Sequence, residues 1–369
     1  MRRMLFVSLL LFGMLFLSGC WDVEEINRRG TVNAVFFDKG DQHAFRIGVA
    51  IHVPGSLMPS VVGTSQEFEK RHYAFSAEGN SLMDAWNELQ SNIMRNLFLG
   101  QTHAIMLSDE AAEDNINNLL DFIGRRFTVP PDANVMITKS DPKGVLDRKI
   151  KNNFIPGEYI MTFFRSKSKS NLALPISLWE VYKILDNGTS DLVIPLIEPS
   201  QGQYRIAGVA LFSQGQMVGE LTLDETRMLA LLKDTASGNL TVPQDDKYIS
   251  FSNVSSKTKI EPRFVNNVLI FDVKTDILAK VADINPRQKE VSIANQKHFE
   301  KLAEQYTKRK FEELLVKLQA LNADAVGFGQ EFRLNYPYKW DKNDWHKVYP
   351  TVKFNVSTKF TTQRTGLFR

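Results

Sequence analysis

Cys20 is the single cysteine in a chain of 369 residues, and it stands directly after Leu17-Ser18-Gly19. An aliphatic residue, two small residues and a cysteine form a pattern with a definite chemistry. The small side chains let the backbone enter a peptidase site. The thiol is the nucleophile that takes up a diacylglyceryl group. Cleavage between Gly19 and Cys20 then leaves a lipidated N-terminus. A lone cysteine can form no internal disulfide, so in an exported chain lipidation gives it a role. Each buried CH₂ contributes ~0.8 kcal/mol, so one acyl chain holds marginally and two hold stably.

The residues before Cys20 are those such a step requires. Met1-Arg2-Arg3-Met4 is a charged start, and an almost unbroken apolar run follows from Leu5 to Leu17. At ~1.5 Å per residue that run spans about 20 Å as a helix, whereas a hydrocarbon core is roughly 30 Å thick. It is too short for a comfortable span and suits a signal peptide at 1–19 that is removed, ending in a bacterial lipobox. Loss of Arg2 and Arg3 lowers the formal charge from +3 to +1, with 43 basic residues against 42 acidic ones. A near-neutral body has no electrostatic pull on nucleic acid, so no nucleic-acid partner is expected. No second run approaches a membrane span. The expectation is a soluble, peripheral body on the exported side, held to the membrane through its lipid.

Signals for catalysis are weak. His43, His52, His72, His103, His298 and His346 show no metal-ligand spacing. There is no HExxH, CxxC, Walker loop or Gly-x-Ser-x-Gly elbow, and no cofactor is expected. Gly327-Phe328-Gly329 is half of a dinucleotide fingerprint, but it follows a helix where a strand is needed. His103 opens an apolar strand and reads as structural, and Trp86 on a helical face reads as core. Arg125 and Arg126 close a helix, where positive charge suits the dipole. Trp340 and Trp345 flank Asp341-Lys-Asn-Asp344. These two arginines and two tryptophans are the candidate partner contacts, since aromatics are favoured at interfaces. For the tryptophans, capping of the long helix is the competing reading.

The elements that must carry these residues predict a mixed α/β or α+β, multi-domain chain. Residues 31–37 and 45–53 read as a hairpin around Asp38-Lys39-Gly40-Asp41. The stretch 54–65 reads as a loop, and a third strand covers 68–75. Ser81 is an N-cap for a helix whose Leu82, Ala85, Trp86, Leu89 and Ile93 share a face. A strand at 102–107, a helix from 108 to about 124 and a strand at 134–138 follow. Two helical stretches, 158–165 and 176–185, close an N-terminal α/β region at 20–200 with room for two subdomains. A short strand at 192–194 leads into a Pro-, Ser- and Gly-containing boundary at 195–203. The C-terminal α/β domain, 201–369, opens with a hairpin at 206–221 and a helix at 222–233. Strands near 247–254, 257–262 and 267–275 come next. One long amphipathic helix, 286–321, carries Phe299, Leu302, Ala303, Tyr306, Phe311, Leu314, Leu315 and Leu318 on one stripe. In the final strand Val352, Phe354, Val356 and Phe360 alternate with Lys353, Asn355, Ser357 and Lys359.

Taken in order, several short motifs are specific as a set. Cys20-Trp21-Asp22 and Glu24-Glu25-Ile26-Asn27 lead into the hairpin. Gly79-Asn80-Ser81-Leu82-x-x-Ala85, Leu97-x-x-Gly100-Gln101-Thr102-His103 and Leu119-x-Asp121-Phe122-x-x-Arg125 follow. Ala323-Asp324-Ala325-Val326-Gly327-Phe328-Gly329 lies far downstream, before the two tryptophans and the last strand. This series, from Cys20 to about Gly366, resembles the C-subunit lipoproteins of spore germinant receptors, the Ger(x)C family. The resemblance implies a mixed α/β fold in several domains and a lipid anchor on the outer face of the spore inner membrane. It implies partnership with an A subunit carrying membrane helices and a permease-like B subunit, and nutrient-triggered germination as the outcome. It brings no catalytic residues; only Cys20 carries over with a chemical role. The alternatives are a solute-binding lipoprotein of a transporter, whose two doubly wound lobes fit the early hairpin and late long helix poorly, and a lipid-anchored cell-wall enzyme.

Overall fold

The computed structural model describes residues 29–52, 72–139, 142–146, 155–165, 173–200, 203–235, 238–244, 247–285 and 293–363. Gly19, Cys20, the loop at 54–65 and the expected helix start at 286–292 lie outside the described residues. The first strands are β1 (Arg29–Asp38), β2 (Phe45–His52) and β3 (His72–Gly79), followed by α1 (Leu82–Ser91). Next come β4 (Asn96–Phe98), β5 (Ala104–Ser108), α2 (Asp109–Glu113), α3 (Ile116–Arg126), β6 (Asn134–Thr138), α4 (Pro142–Leu146) and α5 (Pro156–Arg165). Then β7 (Ile176–Ser177), α6 (Leu178–Asn187), β8 (Val193–Ser200), β9 (Gln203–Ser213) and β10 (Gln216–Thr222) complete one sheet. The rest comprises α7 (Leu223–Leu232), β11 (Gly238–Gln244), β12 (Lys247–Val265), β13 (Val268–Asn285), α8 (Ile293–Ala320), α9 (Phe328–Asn335), α10 (Lys342–Val348) and β14 (Lys353–Thr362).

The first sheet has the order β10-β9-β8-β6-β5-β1-β2-β3, with β4 beside the start of β1 and β7 beside β6. Its centre is parallel: β1 with β5, β5 with β6 and β6 with β8. Parallel strands are covered on both faces, so they need near-continuous apolar runs. Ala34-Val-Phe-Phe37, Ala104-Ile-Met-Leu107 and Val135-Met-Ile137 supply them, all at 1% exposure or less. Val35 and Phe37 face the core under α1, α3 and α6, while Ala34 and Phe36 face the opposite core under α4 and α5. Ser81 caps α1 as its sequence predicts, accepting from the Asp84 N–H at 3.1 Å. Capping boxes at Ser177/Glu180 and Thr222/Glu225 start α6 and α7. Each satisfies two otherwise orphaned backbone donors.

The second sheet runs β11-β12-β13-β14. The stripe of α8 packs on it: Phe299, Ala303, Phe311, Leu314, Leu315 and Leu318 are buried there, with Leu302 and Tyr306 at the margin. Lys308–Glu312 and Arg309–Glu313 pair along its wet face, adding a few tenths of a kcal/mol each. β14 lies parallel to β13 and alternates as its sequence predicts, with Val356 and Phe360 inward and Lys353 and Lys359 outward. The fold is thus α+β with mixed sheets, two domains and one long amphipathic helix. Among the described residues no helix is long and apolar enough to cross a membrane.

Several local expectations differ from the structure. The helix expected from 108 to 124 is two helices, because the Asn115 side chain accepts from the Asn117 N–H at 2.9 Å and restarts the helix. The third strand, expected at 68–75, is seen from His72 and runs on to Gly79 against β2. The boundary expected at 195–203 contains most of β8, despite Pro195 and Pro199. β6 pairs with β8 only at Leu196 and Ile197, so most of that flank of β8 asks for no backbone donor. The strands expected at 247–254 and 257–262 are one strand, β12, whose register with β13 shifts between Ser252 and Ser255. Asn253 sits at φ +51° in that irregularity, a bulge that locally mimics a chain break. The first sheet also continues past residue 200, since β9 and β10 are hydrogen-bonded onto β8.

Candidate functional site

A buried polar cluster lies where the two domains meet. After α8 the chain turns through Asn322, at φ +49°, into Ala323-Asp324-Ala325-Val326-Gly327. Asp324 is fully buried. Its Oδ1 accepts from the Gly327 N–H at 2.8 Å and the Phe328 N–H at 2.9 Å. Its Oδ2 accepts from the Gly329 N–H at 2.8 Å and the Trp345 indole Nε1–H at 3.0 Å. Both oxygens are therefore doubly filled, and the first turn of α9 is capped by a carboxyl four residues before Phe328. The spacing Asp-x-x-Gly-Phe-Gly follows from this geometry. Gly327 adopts φ +99°, which side-chain-bearing residues rarely enter. At Gly329 a Cβ would meet the Thr189 carbonyl oxygen at 2.7 Å and Trp345 Nε1 at 2.9 Å. Burial drives the Asp324 carboxyl up in pKa against the pull of the N–H donors.

Across the junction stands Asp191, between α6 and β8. Its backbone N–H donates to the Asp324 carbonyl at 2.9 Å, and its Oδ2 accepts from the Asp324 N–H at 2.7 Å. The Asp191 main chain and carboxyl thus clasp the Asp324 main chain. Burial and the neighbouring Asp324 raise the Asp191 carboxyl to about 7. His346 Nε2 lies 3.9 Å from Asp191 Oδ1, and burial lowers its own pKa. Further ties join the domains. Ser213 Oγ donates to the Asn322 carbonyl at 2.7 Å. Lys342 Nζ donates to the carbonyls of Leu185 and Asp186 at 3.0 and 2.7 Å. That places an ammonium on the last turn of α6, where the helix dipole favours it.

Two clefts flank Ser190–Asp191. One, of about 320 Å³, is edged by Gly188, Gln214, Lys342 and His346. The other, of about 750 Å³, opens between α6 and α9. Lys233, at the end of α7, reaches into this larger cleft and donates to the Ala325 carbonyl at 2.8 Å. Among the described residues no group of three or more His, Cys, Asp or Glu is arranged to hold a metal ion.

The residues singled out from sequence scatter. Arg125 and Arg126 are exposed in the last turn of α3, and Arg125 pairs with Asp121 at 2.7 Å. Trp340 is half-buried, its ring 5.6 Å from that of Trp345. Trp345 is 2% exposed; as a partner contact it is corrected, because its indole packs in the second core and bonds Asp324. His103 is half-buried, its backbone N–H bonded to the Asn33 carbonyl at 2.8 Å. Trp86 is core, 4.4 Å from the Phe127 ring. Cys20 and Gly19 lie outside the described residues. Sequence reading missed Asp191 and Lys233, which no local motif marks. Asp324 carried a signal, the fixed spacing to Gly327 and Gly329.

Comparison with known proteins matches this two-part architecture. Residues 22–199 match the family model described as spore germination protein N-terminal domain, and residues 207–366 match spore germination B3/GerAC-like, C-terminal. The chain is 22% identical to spore germination protein B3 of Bacillus subtilis (strain 168) over 96% of each chain. It is 21% identical to spore germination protein KC of the same organism, over 99% of this chain and 97% of that one. Spore germination protein GerQC of Bacillus cereus is 18% identical over 95% of this chain and 96% of its own length. A crystal structure of the GerBC protein has a TM-score of 0.58 at 16% identity, covering 93% of this chain and 100% of that one. The chain belongs to the Ger(x)C family of spore germination proteins, both of whose domain models it matches in order.

Proposed function

We propose that this chain is a lipid-anchored, non-enzymatic C subunit of a spore germinant receptor, acting in nutrient-triggered germination. The observation that carries the reading is the ordered match to both germination domains behind an aliphatic-Ser-Gly-Cys start. The proposed anchor is Cys20, acylated after removal of residues 1–19, on the outer face of the cell membrane and, in spores, of the inner membrane. Its partners in this reading are the polytopic A and B subunits. Arg29 stands nine positions after Cys20, so the start of β1 stays within roughly 30 Å of the lipid. Arg29 starts β1 beside β4, its guanidinium 4.9 Å from the centre of the Phe98 ring, and Met94 nearby is fully exposed. This end of the sheet is the one we place toward the bilayer. Confinement to two dimensions raises the effective concentration near membrane partners, so modest interfaces suffice. The non-enzymatic reading is supported by what the buried carboxyls do: Asp324 caps a helix, and Asp191 clasps two domains.

The test uses spores whose only copy carries Cys20→Ala. The expected result is protein lost from the inner-membrane fraction and slowed nutrient-triggered germination, with germination by a receptor-independent route unchanged. Normal nutrient germination with the unlipidated protein would remove the anchor from the mechanism.

A further inference from the structure

We propose that the larger cleft, between α6 and α9, is a binding site for a small monocarboxylate with an apolar body, and that the Lys233 ammonium receives its charge. This goes beyond the receptor reading and does not depend on the anchor. The cleft's volume, about 750 Å³, falls within the ~300–1,000 Å³ usual for small-molecule sites, which also favour domain junctions. Ile176, Ile184 and Val193 on one side and Ile260 and Val326 on the other supply its apolar walls, and polar side chains such as Asn187, Thr189 and Gln330 line the rest. Beside Lys183 and Arg333, the Lys233 ammonium enters this setting. It has three protons to donate, and one goes to the Ala325 carbonyl. Among the described residues no carboxylate forms an ion pair with Lys233. Asp324, the buried acid on its own domain, has both oxygens filled by other donors.

Burial holds Lys233 below the ordinary lysine range, and an incoming carboxylate supplies the opposite charge the position lacks. The remaining charges narrow the ligand. Asp191, which keeps its proton up to about 7, lines the same cleft, where Glu180 and Glu331 offset Lys183 and Arg333 in number, so the Lys233 charge is the one left over and a dianion such as phosphate exceeds it. A single negative charge with an apolar tail satisfies the ammonium and the walls together.

The probe is hexanoate, titrated calorimetrically into the full-length chain in detergent micelles against a detergent blank. Its neutral isostere hexanamide and inorganic phosphate are run in parallel. A charge-assisted hydrogen bond predicts hexanamide roughly 10- to 100-fold weaker than hexanoate, and phosphate weaker still. Lys233→Met should bring acid and amide within about two-fold of each other, and Ile260→Trp, which fills the cleft, should abolish both. Cys20→Ala should leave the binding unchanged, so failure here is separate from failure of the anchor. Equal binding of acid and amide by the unaltered protein overturns the proposal, and so does the absence of saturable binding. A Lys233→Met protein that keeps the preference overturns it too, as does tighter binding of phosphate. Should Lys233→Met not fold, the acid–amide comparison and Ile260→Trp still decide.

Discussion

Replacing Asp324 by asparagine changes one oxygen to an NH₂ group and almost nothing in shape. Its effect follows from how the four donors are shared. Gly327 and Phe328 donate to one oxygen, and Gly329 and Trp345 to the other. Whichever way the amide turns, its NH₂ faces two N–H donors and accepts from neither. Two buried donors lose their acceptor, at ~1–3 kcal/mol each. Asp324→Asn should therefore cost about 4 kcal/mol, a large share of the ~5–15 kcal/mol typical of a folded protein. Equilibrium urea unfolding followed by tryptophan fluorescence reads it as a lower midpoint at similar slope. A double-mutant cycle sharpens the result. Trp345→Phe removes one of the two donors beside Oδ2, so it should relieve part of the asparagine penalty, with a coupling of ~1–2 kcal/mol. A loss under about 1 kcal/mol in Asp324→Asn, or strict additivity with Trp345→Phe, would refute the capping account.

The two glycines of the same motif should fail for different reasons. Gly327→Ala meets nothing closer than Ser190 Cβ at 3.7 Å, so its cost is the positive φ alone, ~1–2 kcal/mol. Gly329→Ala instead presses on Thr189 and Trp345 and should cost more, with a shifted tryptophan emission. Asp191 gives a pH dependence. Folded, it keeps its proton up to about 7, while its ordinary value is 3.8. Between those values the folded state holds more protons, so stability falls as pH rises, by ~3 kcal/mol from pH 5 to pH 8. Asp191→Asn should remove that fall, and parallel pH curves for the two proteins would contradict it. Lys342→Met should cost ~1–2 kcal/mol by leaving the last carbonyls of α6 without their ammonium, and Lys342→Arg should restore part of it. Thermal unfolding of the three proteins ranks them.

What the sequence made legible was whatever rests on local periodicity. The α8 stripe, the alternation in β14, the Ser81 cap and the apolar central strands all follow from residues within a turn or two of one another. The bulge at Asn253 defeated that reading, because a break in alternation resembles a turn until the partner strand is known. Pro195 and Pro199 misled for a related reason. A proline excludes a strand only where a neighbour requires its N–H, and that depends on β6, some 60 residues away. The site was less legible than the fold. Asp191 and Asp324 are more than 130 residues apart and meet only because both domains fold. Trp345 looked like an interface residue because aromatics are favoured at interfaces, but its indole is buried and its N–H is satisfied inside by Asp324.

The ladder that joins β8 to β9 across residue 200 has a consequence for anyone recombining these chains. A chimera that exchanged everything after residue 200 would import β9 and β10 into a foreign sheet. Every pairing from Val193–Leu211 to Ser200–Gln203 would then have to be re-made between sequences not selected together. A crossover after Thr222, just ahead of α7, keeps that sheet's strands from one parent. It leaves the Asp191–Asp324 clasp, the Ser213–Asn322 bond, the Lys342 ties to α6 and the apolar contacts of Val193, Val209, Leu211 and Leu221 to match, and in the first two the Asp191 and Ser213 side chains meet main-chain atoms that any partner parent supplies.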